Sequence, residues 1–316
     1  MGLRDALDPL PRDYVRIVGA RGALVVRGDY RSALLAAGLG PDGDGRVSTG
    51  DLAGRKPLGE LVLGSERLVV RNFHHGGILR WLNGTRFGDP ARPFDELRLA
   101  ALLAERGLAT PTVIAARARR APVFGWRLTL ITRRVEGAID SSHALEELRE
   151  RAEPGPVAWR LFETLGAFVG ECHRIGFRHT DLTPRNMLVE RSVLAGQSAR
   201  VWILDLDRCD LVDGLDDDAR RRVLGRLWRY VSRRDPRPRS GERPVLSRTR
   251  VVRFLRAYRI ALSGTSAGWR EDWRAVERVE RRGSLLHRLG WRLEALFGAG
   301  PETRDGRTVR SPRRSP

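Results

Sequence analysis

From residue 66 to residue 137, apolar positions come in short runs separated by glycine, with one longer amphipathic stretch between them. Leu68-Val69-Val70-Arg71-Asn72-Phe73 has the length and β-branched content of a strand, bounded by Gly64-Ser65 and Gly76-Gly77. Phe94-Asp95-Glu96-Leu97-Arg98-Leu99-Ala100-Ala101-Leu102-Leu103-Ala104-Glu105-Arg106 shifts to a helical period. Strong helix formers carry its apolar stripes, Pro93 suits the first turn and Gly107 is the stop. Strands are predicted again at 111–116 and 127–132, the second leading into a hinge near Arg133 to Gly137. Further on, Met187-Leu188-Val189 and Val201 to Leu204 read as two strands joined by a Gly-containing link. Val157, Leu161, Leu165, Phe168 and Cys172 form one helical stripe, so packing is the expected role of Cys172.

The two ends are patterned differently. An acidic cluster, Asp213 and Asp216 to Asp218, leads into a basic helix, Arg220 to Arg234. A Pro- and Arg-rich linker follows at 236–244, then a helix at 249–262. Trp269, Trp273, Val276, Leu285, Leu286, Leu289, Leu293, Leu296 and Phe297 continue at helical spacing, laced with arginines. That pattern fits an interfacial helix and, equally, a helix packed on the preceding lobe. Residues 304–316 are too polar to fold alone. Gly38 to Gly50 carries no G-x-G-x-x-G or Walker pattern behind a strand and reads as a surface loop. The region around Tyr14 to Tyr30 fits either a strand added to the small lobe or an appended extension.

Composition narrows the class. With 316 residues, 41% of them apolar, the chain can bury a core large enough for one two-lobed unit. No run approaches the ~18 apolar residues that cross a bilayer. Met1 to Ala6 lacks a signal-peptide core and breaks the myristoylation pattern at Ala6. Two cysteines make no disulfide framework, so a reducing, cytoplasmic location is expected. The net charge of +19 calls for an anionic surroundings or partner. Nucleic acid, an anionic membrane face and a phosphorylated glycolipid are the candidates. Without zinc spacing, an RNA-recognition signature or a basic-aromatic repeat, no nucleic acid is expected.

The chemistry lies in His179-Thr180-Asp181-Leu182-Thr183-Pro184-Arg185-Asn186 and in Asp205, which ends the apolar run Val201 to Leu204. The first block has the H-x-D-x-x-x-x-N spacing of a kinase catalytic loop. Phosphoryl transfer from ATP needs a carboxylate to accept or orient the attacking hydroxyl's proton, a role suited to Asp181. It also needs oxygen donors for Mg²⁺, a hard cation, and Asn186 and Asp205 supply them. His179 is expected to hold the loop by hydrogen bonds. Arg71 stands where a phosphate-contacting cation belongs on a strand, and Glu96, one turn into the helix, is its candidate partner. Lys56, the only lysine, is the competing cation. The hinge at 133–137 would offer backbone groups to an adenine edge. Against these readings stand a polar capped loop without chemistry, a surface arginine and a solvated helical glutamate.

Taken in order, these blocks resemble the Kdo kinases, within the lipopolysaccharide-core kinases of Gram-negative bacteria. Gly54-Arg55 is similar to the family's early Gly-Arg, and Val70-Arg71-Asn72-Phe73-His74-His75-Gly76-Gly77-Ile78-Leu79 resembles its R-[HN]-[YF]-x-x-G-G-L signature. The helix with Glu96, Leu130-Ile131-Thr132, the H-T-D-L-x-x-x-N loop and Leu204-Asp205-Leu206-Asp207-Arg208-Cys209 complete a resemblance over residues 50 to 260. Two departures stand out. Lys56-Pro57-Leu58-Gly59 replaces a glycine-rich turn, and Leu206 replaces the more usual Phe.

The resemblance implies an α+β, bilobal protein-kinase-like fold, with a small β-rich N-lobe holding one main helix and a larger, mostly helical C-lobe. The expected division is 1–136 for the N-terminal region and ATP-binding lobe, 137–262 for the catalytic lobe and 263–316 for a basic extension. It also implies ATP and Mg²⁺ as cofactors and phosphorylation of a sugar hydroxyl, in Kdo kinases the 4-hydroxyl of Kdo on lipid A. The expected partners are Kdo-lipid A or a related core glycolipid, and the anionic cytoplasmic face of the inner membrane. A heptose kinase of the same core, or another kinase-like small-molecule phosphotransferase, is the nearest alternative. Asp205-Leu206-Asp207 alone would also suit the D-x-D metal motif of a glycosyltransferase, but that leaves His179, Asp181 and Asn186 unexplained. An idle scaffold that binds anionic lipid or nucleic acid has to explain why all three oxygen donors are kept.

Overall fold

The computed structural model of the chain describes residues 7–45, 48–49, 58–74, 85–151, 155–234 and 246–278. Gly54-Arg55, Lys56, the His75 to Leu79 part of the signature, the linker at 236–244 and the leucine stripe at 285–297 lie outside them.

The N-terminal half is built on a seven-stranded sheet. Its strands are β1 (Tyr14–Val18), β2 (Gly22–Arg27), β3 (Ser48–Thr49), β4 (Gly59–Leu63), β5 (Glu66–Asn72), β6 (Val113–Arg120) and β7 (Trp126–Arg133). They lie in the order β1-β2-β6-β7-β5-β4-β3, every pair antiparallel. Helix α1 (Arg31–Ala36) covers one face and helix α2 (Arg92–Glu105) the other. Leu24, Val26, Leu68, Val70, Ile114 and Ile131 meet Tyr30, Leu34 and Leu39 on the outer face. Ala23, Val25, Ala116, Leu128 and Leu130 meet Phe94, Leu97 and Leu103 of α2 on the inner face. β2 is therefore buried on both sides, which is why residues 22–26 form a continuous apolar run rather than an alternation. Tyr14 to Tyr30 thus adds two strands to the sheet. The surface loop predicted from Gly38 is held down over 38–45: Arg117 and Arg119 both donate to the Gly43 carbonyl.

The second half holds β8 (Ala138–Asp140), α3 (Ser141–Glu150), α4 (Gly155–Arg174), β9 (Phe177–Arg178), β10 (Met187–Glu190), β11 (Val201–Ile203), β12 (Asp210–Leu211), α5 (Asp217–Arg234) and α6 (Arg248–Ser263). β10 sits between β8 and β11, and Met187 pairs with Ile203, so the predicted strand-loop-strand unit is an antiparallel hairpin. The basic helix starts earlier than its arginines, because Asp217 and Asp218 occupy its first turn, where the helix dipole favours negative charge. α4 and α6 pack closely. A Cβ at Gly166 or Gly170 would run into the Phe254 or Tyr258 carbonyl, so glycine sets the approach.

A last helical stretch, 269–278, folds onto this lobe. Trp273 meets Trp228 edge-on at 5.0 Å, Arg259 holds Asp272 (Nη2–Oδ1 2.7 Å), and Ala275 and Val276 are buried. The described part of the C-terminal stripe is therefore packed. Among the described residues no helix is long and apolar enough to cross a membrane.

One pH dependence follows from the α4–α6 seam. His173 is buried with Nδ1 3.0 Å from the Tyr258 hydroxyl, and burial pushes its pKa down to about 3. Its folded value lies below the unfolded value near 6.5, so the unfolded chain takes up the proton first as pH falls. Stability is retained above pH 6.5 and lost between there and about 3, by about 1.4 kcal/mol per pH unit. Buried His179, whose pKa is also lowered by burial, acts in the same direction. Urea unfolding at pH 7, 6 and 5 should show this slope, and His173→Gln should flatten it. An unchanged slope in that variant would remove His173 from the account.

Candidate phosphoryl-transfer site

The site forms where the sheet faces the hairpin. β5 presents Arg71, α2 presents Glu96 from its inner face, and the turn after β11 presents Asp205. Arg71 Nη1 lies 2.6 Å from Asp205 Oδ1, and Arg71 Nη2 pairs with Glu96. The second Glu96 oxygen accepts the Leu206 N–H at 3.1 Å. Glu96 is only 4% exposed, so this carboxylate depends on the guanidinium for its charge. Burial raises the Glu96 pKa, and Arg71 works against that rise. Burial would lower the Arg71 pKa, but facing Glu96 and Asp205 raises it. Asp205 itself takes a left-handed backbone (φ 56°), a conformation that acidic residues tolerate better than most and that turns its side chain out of the strand line.

The residues of the candidate loop 179–186 are tied through their backbones. His179 is buried and stacks edge-on against Phe177 at 5.9 Å. The Asp181 N–H donates to His179 Nδ1 at 3.1 Å, so the ring proton sits on Nε2 and donates to the Leu204 carbonyl at 2.9 Å. His179 thus joins the loop to the residue before Asp205. Asn186 Nδ2 donates to the Asp181 carbonyl at 2.8 Å, which makes its other amide atom an oxygen acceptor. The Leu204 N–H donates to the Asn186 carbonyl at 2.8 Å. The Asp181 side chain is exposed.

Arg71, Glu96, Asp205, Asn186, Asp181 and His179 are therefore gathered at one place by strands and loops far apart in sequence. Lys56 lies outside the described residues. Among the described residues no cluster of three or more His, Cys, Asp or Glu side chains could hold a metal. A magnesium ion beside a nucleotide needs fewer, one or two protein oxygens with phosphates completing the shell, so Asn186 and Asp205 are a fitting donor set.

One pair went unread in the sequence. Arg92, first residue of α2, holds Asp207 with two hydrogen bonds, one of them Nε–Oδ1 at 3.0 Å. Its guanidinium lies 4.9 Å from the Phe87 ring centroid and 5.6 Å from that of Phe73. With the Arg71–Asp205 and Glu96–Leu206 contacts, this makes three links between α2 or β5 and residues 205–207. Asp207→Asn should raise the ATP requirement several-fold with little loss of maximal rate at saturation. The exchange R92D/D207R should recover part of the loss, and an exchange no better than the single variants would reduce the pair to packing.

Comparison with known proteins agrees with this geometry. Residues 50–258 match the profile of the "Lipopolysaccharide kinase (Kdo/WaaP) family". The chain belongs to that family. A "3-deoxy-D-manno-octulosonic acid kinase" of Actinobacillus succinogenes is 29% identical over 145 residues, 45% of this chain and 56% of the relative. Proteins with the same description from Vibrio vulnificus (27% over 164 residues, 51% and 64%) and Haemophilus influenzae (29% over 146 residues, 45% and 56%) are also similar. The matches span little more than half the length of these curated relatives. A solved structure, "WaaP in complex with acyl carrier protein", superposes with a TM-score of 0.53 at 21% identity, over 83% of this chain and 98% of that one. That likeness shows the fold to be the bilobal, kinase-like one. That family is one of lipopolysaccharide kinases. The profile begins at residue 50, so β1, β2 and α1 lie outside the matched region.

Proposed function

We propose that the chain transfers the γ-phosphoryl group of ATP to the 4-hydroxyl of Kdo on Kdo-lipid A, working at the cytoplasmic face of the inner membrane. The observation that carries this reading is the pair of ties through Asn186, from its amide to the Asp181 carbonyl and from its carbonyl to the Leu204 N–H. They set the Asp181 and Asp205 loops side by side, as hydroxyl activation next to a metal-bound phosphate requires. In this reading Asp181 orients the acceptor hydroxyl and takes its proton. Asn186 and Asp205 hold Mg²⁺, which would neutralise phosphate charge. Arg71 turns from Asp205 to the phosphates when the nucleotide binds, with Glu96 holding its other edge, and Lys56 is the second candidate cation. His179 keeps the loop in place.

Kdo is favoured over other core sugars by the names of the curated relatives. The test is incubation of the purified chain with labelled ATP and Mg²⁺ against Kdo-lipid A, a heptosylated core and simple sugars. Because the solved WaaP structure is a complex with acyl carrier protein, a parallel arm includes that protein. Label on Kdo-lipid A, lost when the 4-hydroxyl is blocked, supports the proposal. Transfer only to the heptosylated core would move the acceptor to heptose, and transfer to neither would overturn the reading.

A further inference from the structure

The turn joining β6 to β7, Ala121-Pro122-Val123-Phe124-Gly125, puts two large apolar side chains into solvent: Val123 is 76% and Phe124 52% exposed. Gly125 takes a left-handed backbone (φ 75°), and a Cβ there would run into the Phe87 carbonyl, so the turn is shaped to hold these two residues out. Single exposed apolar residues are common, but two adjacent ones at a hairpin tip are less so.

Their surroundings are cationic. The Arg86 guanidinium lies 5.2 Å from the Phe124 ring centroid, and Arg120 stacks 4.5 Å from that of Trp126. Arg21 joins them, since its carbonyl accepts the Arg120 N–H at 2.7 Å, and Arg127 pairs in register with Arg119. Arg21, Arg120 and Arg127 are exposed and form no ion pair among the described residues. Asp44 pairs with Arg119, and Asp42 accepts the Arg21 N–H.

We infer that this hairpin tip is a membrane anchor, with Val123 and Phe124 entering the interfacial zone of an anionic bilayer while the arginines around them contact lipid phosphates. An apolar tip inside a cationic ring is complementary to that surface and to no neutral one. The inference deepens the proposed function and rests on its lipid-borne acceptor, because the tip is coupled to the site. Phe87 and Trp126 exchange backbone hydrogen bonds, each 2.8 Å. The Phe87 ring then packs on Arg92, which holds Asp207 of the metal loop. A bilayer that holds the tip thereby faces the α2 and metal-loop end of the cleft.

The test needs neither acceptor nor ATP, so its failure is distinct from failure of the kinase reading. The full chain and V123S/F124S are sedimented with phosphatidylcholine vesicles, with and without about one-third phosphatidylglycerol. The full chain should bind the anionic vesicles and release at high salt. The double variant should bind at least about tenfold more weakly, with unchanged melting temperature. A V123C chain carrying an environment-sensitive fluorophore should brighten with anionic vesicles and not with neutral ones. A double variant that binds as the full chain does, or a fluorophore that stays dark or brightens equally with both vesicles, would overturn the inference.

Discussion

Asp181→Ala is expected to remove phosphoryl transfer while leaving nucleotide binding in place. The loop does not depend on the Asp181 side chain: its N–H is held by His179 and its carbonyl by Asn186, and both contacts survive truncation. The carboxylate is exposed, so its loss leaves no buried partner unpaired. A positioned general base contributes roughly 10²- to 10⁴-fold, and kcat should fall by about that factor, with ATP affinity within about twofold of the parent chain. Asp205→Ala should behave differently, losing Mg²⁺-dependent nucleotide binding. His179→Gln should lower thermal stability first and rate second, because that ring is buried and reaches the site only through Asp181 and Leu204. Single-turnover kinetics with calorimetric ATP titration separates the three. Near-normal turnover by Asp181→Ala would end the catalytic-loop assignment.

Arg71→Ala should be the most damaging change to stability and nucleotide binding together. It leaves Glu96, almost fully buried, facing the Asp205 side of the cleft with no cation, and breaking such a pair costs about 3 kcal/mol. Glu96→Gln is the milder partner change, since an amide oxygen can still accept the Leu206 N–H. Either variant should raise the ATP KM by about tenfold or more, and the double variant should be little worse than the worse single one, because both remove the same contact. Lys56→Ala should be mild beside them. Steady-state kinetics over ATP concentration, with thermal melting of each variant, decides the matter. A severe Lys56 phenotype next to a silent Arg71 would move the phosphate anchor to the earlier segment.

Local pattern carried much of the fold. The strand at β5 and the helix at α2 follow from run length, period and the flanking Gly and Pro residues, and they agree with the structure to within two residues at either end. The candidate loop was legible as one unit because His179, Asp181 and Asn186 lie within eight residues, a spacing that one turn of chain can build by itself. Glu96 was legible as the partner of Arg71 because the kinase pattern sets an acidic residue on the helix that follows the strand cation, and the two side chains do pair.

What stayed hidden depends on distant pairing. Arg92 and Asp207 are 115 residues apart, and one arginine in a chain so rich in them carries no signal until the fold sets it between two phenyl rings and a carboxylate. The stripe at Trp273 and Val276 suits a membrane or a protein surface equally well by periodicity. Packing against Trp228 decided it for the described residues. The same holds for Val123 and Phe124, an unremarked turn in the sequence that the sheet turns outward among arginines from two strands and two loops. Sequence alone determined the elements and the candidate residues that short spacings gather, because backbone period and turn preference act over a few residues. The ion pairs that close the site and the surface it presents were decided by tertiary structure, because they exist only once strands and helices far apart in the chain have chosen their neighbours.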